Sequence, residues 1–216
     1  MRDSVRKFVE IVSEALPFPE PIYEFGSFQV EGQEGFADLR PLFPGKKYFG
    51  CDMRHGKGVD LILDLHNIDL PDETVGTVLV IDTLEHVEFC RKAISEVYRI
   101  LKPDGIVVVT SVMNFPIHDY PNDYWRFTPE GFKSLLNPFS YSIVDFLGEK
   151  DFPHTVVGLG IKKMTISESL EKILIEKINT WKYLQSQIKK PNYIKRFMKQ
   201  FIPPFLVELY RKLARL

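Results

Sequence analysis

Val75-Gly76-Thr77-Val78-Leu79-Val80-Ile81-Asp82 is a short apolar run that ends on a carboxylate, and together with the helix and strand downstream of it this run decides the fold. The run is rich in β-branched residues and reads as a buried strand. Downstream, Phe89 to Leu101 places Cys90, Ala93, Ile94, Val97, Tyr98 and Leu101 on one helical stripe, and Lys102-Pro103-Asp104-Gly105 stops it. Ile106 to Thr110 is then a second strand. Strand, helix, turn and strand make a βαβ unit, whose default is parallel pairing with a right-handed crossover.

Working outward, Pro21 to Phe25, Lys46 to Cys51 and Val59 to Leu63 read as further strands. Ahead of them, Val5, Phe8, Val9, Val12, Ala15 and Leu16 recur at helical spacing, with Asp3 or Ser4 as N-cap and Pro17 and Pro19 as stops. Only Asp52 to Gly58 separate the second and third strands, too few for a crossover helix, so a tight glycine-bearing loop and a less covered pocket are expected. On the other side, Thr128 caps a helix to Leu136 that has Pro129 at its first position. Tyr141 to Phe146 and Thr155 to Met164 complete the sheet as an antiparallel edge pair, the second interrupted by Gly158 and Gly160.

The chain of 216 residues fits one sizeable domain, 1-164, followed by an appendage, 165-216. The appendage reads as helices: about Ser167 to Lys189, then one with Tyr193, Ile194, Phe197, Phe201 and Ile202 on a face, then one with Phe205, Leu206, Leu209, Leu213 and Leu216. It holds 11 Lys and Arg against 4 Asp and Glu, leaving the body with 17 against 25. An acidic body with a basic amphipathic tail suggests an anionic partner, either a membrane surface or the body itself, or self-association through the apolar stripes. The acidic body disfavours nucleic acid. Cys51 and Cys90 supply no disulfide framework, and no apolar run is long enough to span a bilayer. A cytoplasmic protein is expected, peripheral at the inner membrane face if the tail engages lipid.

Chemistry collects at the strand ends. In an open parallel sheet, ligands bind outside the carboxyl ends of the strands, and Glu24, Asp52 and Asp82 each end an apolar run there. Gly26-Ser27 gives the first strand a sharp turn that lets backbone approach a ligand. The G-x-G-x-x-G spacing is absent, which weighs against a dinucleotide. Asp52 is placed to accept from ribose hydroxyls, with Met53 beside it; Asp64 is placed to accept from an adenine amino group, with Leu65 on the ring and His66 next to it.

Glu24-Phe25-Gly26-Ser27, Asp52, Asp64-Leu65-His66, Leu84-Glu85-His86-Val87 and Arg99-Ile100-Leu101-Lys102-Pro103-Asp104-Gly105 together resemble class I S-adenosylmethionine-dependent methyltransferases of the type 11 kind. The resemblance covers roughly Pro21 to Leu136. It implies an α/β, Rossmann-like, mostly parallel sheet with an antiparallel edge pair, here with a C-terminal helical tail. It also implies S-adenosylmethionine as cofactor, with Glu24 and Gly26 in the first cofactor motif, Asp52 on the ribose, Asp64 and Leu65 on the adenine, and Asp82 in the motif after strand four. The chain departs from the usual pattern in its reduced glycine motif and in the missing second crossover helix.

The stretch His118-Asp119-Tyr120-Pro121-Asn122-Asp123-Tyr124-Trp125-Arg126-Phe127-Thr128-Pro129 looks like one found in methyltransferases of sugar and cell-surface polymer pathways. It should line the acceptor site, since loops beyond strand five close over the crevice. Tyr120, Tyr124 and Trp125 are expected to flank a sugar or planar acceptor and Arg126 to fix an anionic group; the rival is an aromatic loop with Arg126 paired to Asp119 or Asp123. His118, His86 and, third, Tyr124 are the candidate proton acceptors, His86 reading equally as pocket wall. Asp82, Glu85, His86 and His118 carry no H-E-x-x-H or Cys/His spacing, so no metal is expected. The expected function is methyl transfer to a hydroxyl or amine of a small-molecule or glycan-type acceptor. Its rivals are a catalytically silent module of the same fold and a nicotinamide-dependent oxidoreductase.

Overall fold

A computed structural model describes residues 1–32, 35–119, 121–163 and 166–188. Chain contacts divide it into two compact units, Met1–Lys182 and Tyr183–Leu216. In the first, the elements run α1 (Asp3–Ala15), β1 (Ile22–Phe25), β2 (Tyr48–Asp52), β3 (Leu61–Ile62), β4 (Val75–Ile81), α2 (Cys90–Ile100), β5 (Leu101–Val112), α3 (Pro129–Leu136), β6 (Tyr141–Glu149) and β7 (Phe152–Ile161). A further helix, α4 (Glu168–Gln187), begins in the first unit and ends in the second. The second unit is described over 183–188; the helices expected from Tyr193 and from Phe205 lie outside the described residues.

The seven strands form one sheet in the order β3-β2-β1-β4-β5-β7-β6. The first five pair in parallel, and β7 joins β5 and β6 in antiparallel fashion. Alternation along each strand builds a core on each face. On one face Val78, Val80, Val107 and Val109 meet Ala93, Ile94 and Val97 of α2 and Phe132 and Leu136 of α3. On the other, Leu79, Ile81, Ile106 and Val108 join the buried faces of α1, through Val5, Phe8, Val9 and Val12, and of α4, through Leu174, Ile178 and Trp181. The Trp181 indole donates to the Ser4 carbonyl at 2.9 Å, and its ring lies 5.0 Å from that of Phe8, so this part of the expected tail packs on the body.

Three sequence expectations are corrected. Arg2, not Asp3 or Ser4, occupies the N-cap of α1, where no side chain caps the helix. Strand β7 is continuous through Gly158 and Gly160; a Cβ there would come within 2.8 Å of Leu136 and of Phe139, so these glycines let α3 and the residues after it press onto the sheet. Strand β3 is two residues long, because its loop from β2 returns at once: the Asp60 carboxylate accepts from Gly50 N at 2.7 Å and from Arg40 at 2.6 Å. As the sequence requires, the connection between β2 and β3 contains no helix. Thr128 does cap α3, accepting from Gly131 N at 3.0 Å.

Candidate active site

The carboxyl ends of β1 to β5 open onto a cavity of about 800 Å³, within the range of small-molecule sites. Its floor is the turn after β1. Gly26 has φ +83°, a left-handed conformation, and its backbone N–H donates to the Cys51 carbonyl at 2.9 Å. A Cβ there would lie 2.0 Å from Thr83 Oγ1, so only glycine lets β1 turn against the end of β4. Glu24, one residue before Phe25, is 5% exposed and accepts from the Tyr48 hydroxyl at 2.6 Å. Burial pushes its pKa up to about 7, against the lowering effect of that hydrogen bond and of Arg40.

At the β2 and β3 end, the side chains are set by local turns. Asp52 Oδ1 accepts from Arg54 N at 2.9 Å and from Arg54 Nε at 3.2 Å. The Arg54 guanidinium also lies 4.5 Å over the Phe28 ring. Asp64 Oδ1 accepts from His66 N at 2.8 Å and lies 2.9 Å from His66 Nδ1. Since Phe89 N donates to His66 Nε2 at 3.2 Å, the ring carries its hydrogen on Nδ1. Glu24, Phe25, Gly26, Ser27, Asp52, Met53, Asp64, Leu65, His66 and Asp82 all line the cavity, as do His86 and His118.

The β4 and β5 end is assembled over longer distances in the chain. Asp82 adopts φ +45° and is anchored to β5: its N–H donates to the Thr110 carbonyl at 3.0 Å, and its carboxylate accepts from Thr110 Oγ1 at 2.9 Å and from Arg2 at 3.1 Å. A non-glycine residue held at positive φ stores strain, which clusters at functional sites. A single helical turn over Leu84–His86 comes next. Glu85, 1% exposed, accepts from the Ser111 hydroxyl at 2.6 Å, and its own carbonyl accepts from Tyr124 N at 2.8 Å. Burial, with the nearby Asp82 charge, pushes the Glu85 carboxyl up to about 7.

Several expectations for the aromatic stretch are corrected. Tyr124, Trp125 and Arg126 do not line the cavity. Arg126 donates to both Asp123 oxygens at 2.6 and 2.7 Å and to the Phe115 and Pro116 carbonyls, so its charge is committed to fixing the loop. This pairing, with a side chain of Asp123 only 1% exposed, holds the Asp123 carboxyl well below the usual range. The Trp125 indole donates to the Val87 carbonyl at 3.0 Å, and the Tyr124 hydroxyl donates to Asn122 Oδ1 at 3.3 Å. Tyr120 lies outside the described residues. What the stretch delivers to the cavity is His118, Asp119 and Asn122. The sequence names Glu85 within the Leu84-Glu85-His86-Val87 motif and among the carboxylates weighed for a metal, but not its burial or its bond to Ser111; the buried neighbours Leu84 and Val87 are the available signal.

Residues 48–109 match the family model of a methyltransferase domain. No curated protein matches the chain. Among solved structures, it resembles a Thermotoga maritima protein described as a SAM-dependent methyltransferase and possible histamine N-methyltransferase. The two share 21% identity and a TM-score of 0.54 over 74% of this chain and 92% of that one. It also resembles a SAM-dependent methyltransferase from Archaeoglobus fulgidus, at 16% identity and TM-score 0.55 over 73% and 94% of the two chains. A third is the Burkholderia thailandensis 1,6-didemethyltoxoflavin-N1-methyltransferase, with bound 1,6-didemethyltoxoflavin and S-adenosylhomocysteine, at 16% identity and TM-score 0.56 over 75% and 79%. The chain thus has the class I S-adenosylmethionine-dependent methyltransferase fold, with the methyltransferase-domain match running from β2 into β5.

Proposed function

We propose that the cavity binds S-adenosylmethionine and that the protein transfers its methyl group to a hydroxyl or amine of a small-molecule or glycan-type acceptor. One observation carries this reading: Asp52, Asp64 and the positive-φ turn at Gly26 face a single cavity at the carboxyl ends of parallel strands. The residues fit a nucleoside without phosphate. Carboxylates suit ribose hydroxyls and an adenine amino group, while the two arginines of the lining, Arg2 and Arg54, are already paired with Asp82 and Asp52.

In this reading Asp52 accepts from the ribose, Asp64 from the adenine amino group, and Met53 and Leu65 pack on the ring. The turn Glu24-Phe25-Gly26-Ser27 and Asp82 bound the amino-acid portion. When bound, the cofactor supplies a methyl carbon already activated by its sulfonium. The protein's task is therefore alignment, and orientation of this kind supplies much of a two-substrate acceleration. Strand order places Asp64 and Asp52 toward one end of the crevice and His86 and His118 toward the other. The acceptor then enters beside the histidines, which stand ready to take its proton.

Calorimetry with S-adenosylmethionine and S-adenosylhomocysteine tests the proposal. Asp52→Ala is expected to weaken binding by about 1 to 3 kcal/mol, the range for losing a charged hydrogen-bond partner. Unchanged affinity would remove Asp52 from the site, and no binding of either ligand at millimolar concentration would favour the silent module. The bond from Arg54 to Asp52 is the observation on that rival's side, because it engages one of the two oxygens of the carboxylate proposed for the ribose.

A further inference from the structure

Glu85, His86 and His118 all line the cavity, and one ligand atom of each lies within 4.8 Å of the others. We propose that they bind one divalent transition-metal ion of the zinc class, which holds the acceptor's oxygen; the role in methyl transfer rests on the function proposed above, whereas the metal site does not.

The surroundings of each side chain support the assignment. His86 Nδ1 lies 2.7 Å from the Asn122 carbonyl oxygen, which can only accept, so Nδ1 carries the hydrogen and Nε2 keeps its lone pair. His118 Nδ1 lies 3.2 Å from the Pro116 carbonyl and 3.3 Å from an Asp123 oxygen, which imposes the same tautomer. A carboxylate or carbonyl behind Nδ1 is how ligating histidines are oriented and made more basic. Asp123 is itself clamped by the two bonds from Arg126, so the loop that Arg126 rigidifies has a purpose: it aims His118. Ser111 donates to the third group, Glu85, at 2.6 Å.

Charge argues in the same direction. Among the described residues Glu85 forms no ion pair, although its side chain is buried and Asp82 lies nearby in the chain. A buried carboxylate of this kind is stabilised by a cation. Two imidazoles and one carboxylate, with coordination positions open toward a cavity, form a donor set of the kind found in catalytic zinc sites and in facial triads of other divalent ions.

The site lies at the β4 and β5 side of the crevice, beyond the acids proposed for the nucleoside. A hydroxyl bound there would lose its proton more readily, as a Lewis-acid ion lowers the pKa of a bound oxygen. The proton passes to water. An oxygen lone pair forms the new C–O bond while the C–S bond breaks and its electron pair returns to sulfur as a neutral thioether. With the ion bound, the two histidines serve as its ligands in place of the proton-accepting role they have in the metal-free site, and water takes the proton.

The test uses tag-free, full-length protein stripped with a chelator and titrated with Co²⁺ and Zn²⁺, followed by visible absorption and calorimetry. One equivalent per chain is expected, with visible cobalt bands of a low-symmetry nitrogen and oxygen site. His86→Ala and His118→Ala should each weaken uptake by at least about 100-fold, and Ser111→Ala by roughly 10-fold, in keeping with ligand orientation by outer partners. Circular dichroism and thermal melting show that each variant is folded; His118 lies on a loop, so its variant is the safer one. Asp52→Ala should keep metal affinity and lose S-adenosylhomocysteine affinity. Metal uptake equal in the wild type and both histidine variants, or none at millimolar metal, would overturn the site while leaving the methyltransferase reading intact. Stoichiometric uptake without nucleoside binding would overturn that reading and leave the metal site standing.

Discussion

The two ends of the crevice are built in different ways. At the β2 and β3 end, each acid is positioned by a residue two places along: Asp52 by Arg54 and Asp64 by His66. These are Asx-type turns, which close within a few residues and need little from the rest of the fold. At the β4 and β5 end the partners are remote: Glu85 with Ser111, His86 with Asn122, Asp82 with Thr110 and Arg2. The first end is a pair of local devices on a sheet edge. The second exists only when β4, β5 and the loop after β5 are docked together.

The sharpest way to break this contrast is Asp123→Asn. Asp123 binds Arg126 through two bonds while its side chain is almost completely buried, and removing one partner of a buried ion pair is strongly destabilising, here by about 3 kcal/mol because Arg126 is partly exposed. Urea unfolding measures the loss, and amide exchange should show it spreading through the loop after β5 but not into residues 52–66. Equal loosening at both ends would erase the distinction.

Next in size is Glu24, where the raised carboxyl gives stability its own pH dependence. Below about 4.5 both folded and unfolded chains hold this proton, and its contribution is complete; as pH rises towards about 7 the unfolded chain releases the proton first, so stability falls. Glu24→Gln keeps the volume and a partner for Tyr48 while removing this titration. A tenfold difference in proton affinity between the two states is worth about 1.4 kcal/mol, and partial relaxation around the charged group offsets some of it. The variant should therefore gain on the wild type across that window, by about 2 kcal/mol at a pH of about 8. Matching pH profiles of unfolding free energy would show that Glu24 is solvated in the folded protein.

The smallest effect expected is at the local end. Arg54 is more than half exposed, so its bond to Asp52 contributes little to folding. If it competes with a ribose for the Asp52 oxygen, Arg54→Ala should leave stability unchanged and tighten S-adenosylhomocysteine binding by roughly threefold, up to about 1 kcal/mol. Weaker binding in the variant would mean that Arg54 holds the ligand instead.

The contrast also accounts for how far the sequence can be read. The apolar runs of β1, β2, β4 and β5 and the stripe of α2 show their periods directly, and their strand-end residues Glu24, Asp52, Asp64 and Asp82 do line the cavity. In the aromatic stretch residue type is no guide to direction, and the sequence leaves two readings open: Trp125 faces the Val87 carbonyl, and Arg126 faces Asp123, as in the second of them. The Glu85, His86 and His118 cluster has no spacing to announce it, since its third member arrives from another strand end.

By itself, then, the sequence determined the alternation of strands and helices, the parallel core of the sheet and the acids that end its strands, because hydrophobic periodicity and strand length are local properties. Only the tertiary structure decided which side chains of the loop after β5 turn inward, which carboxylates are buried, and which distant groups meet at the β4 and β5 end. Those outcomes depend on packing across the sheet and on satisfying buried polar groups, and neither quantity is written in any single segment of the chain.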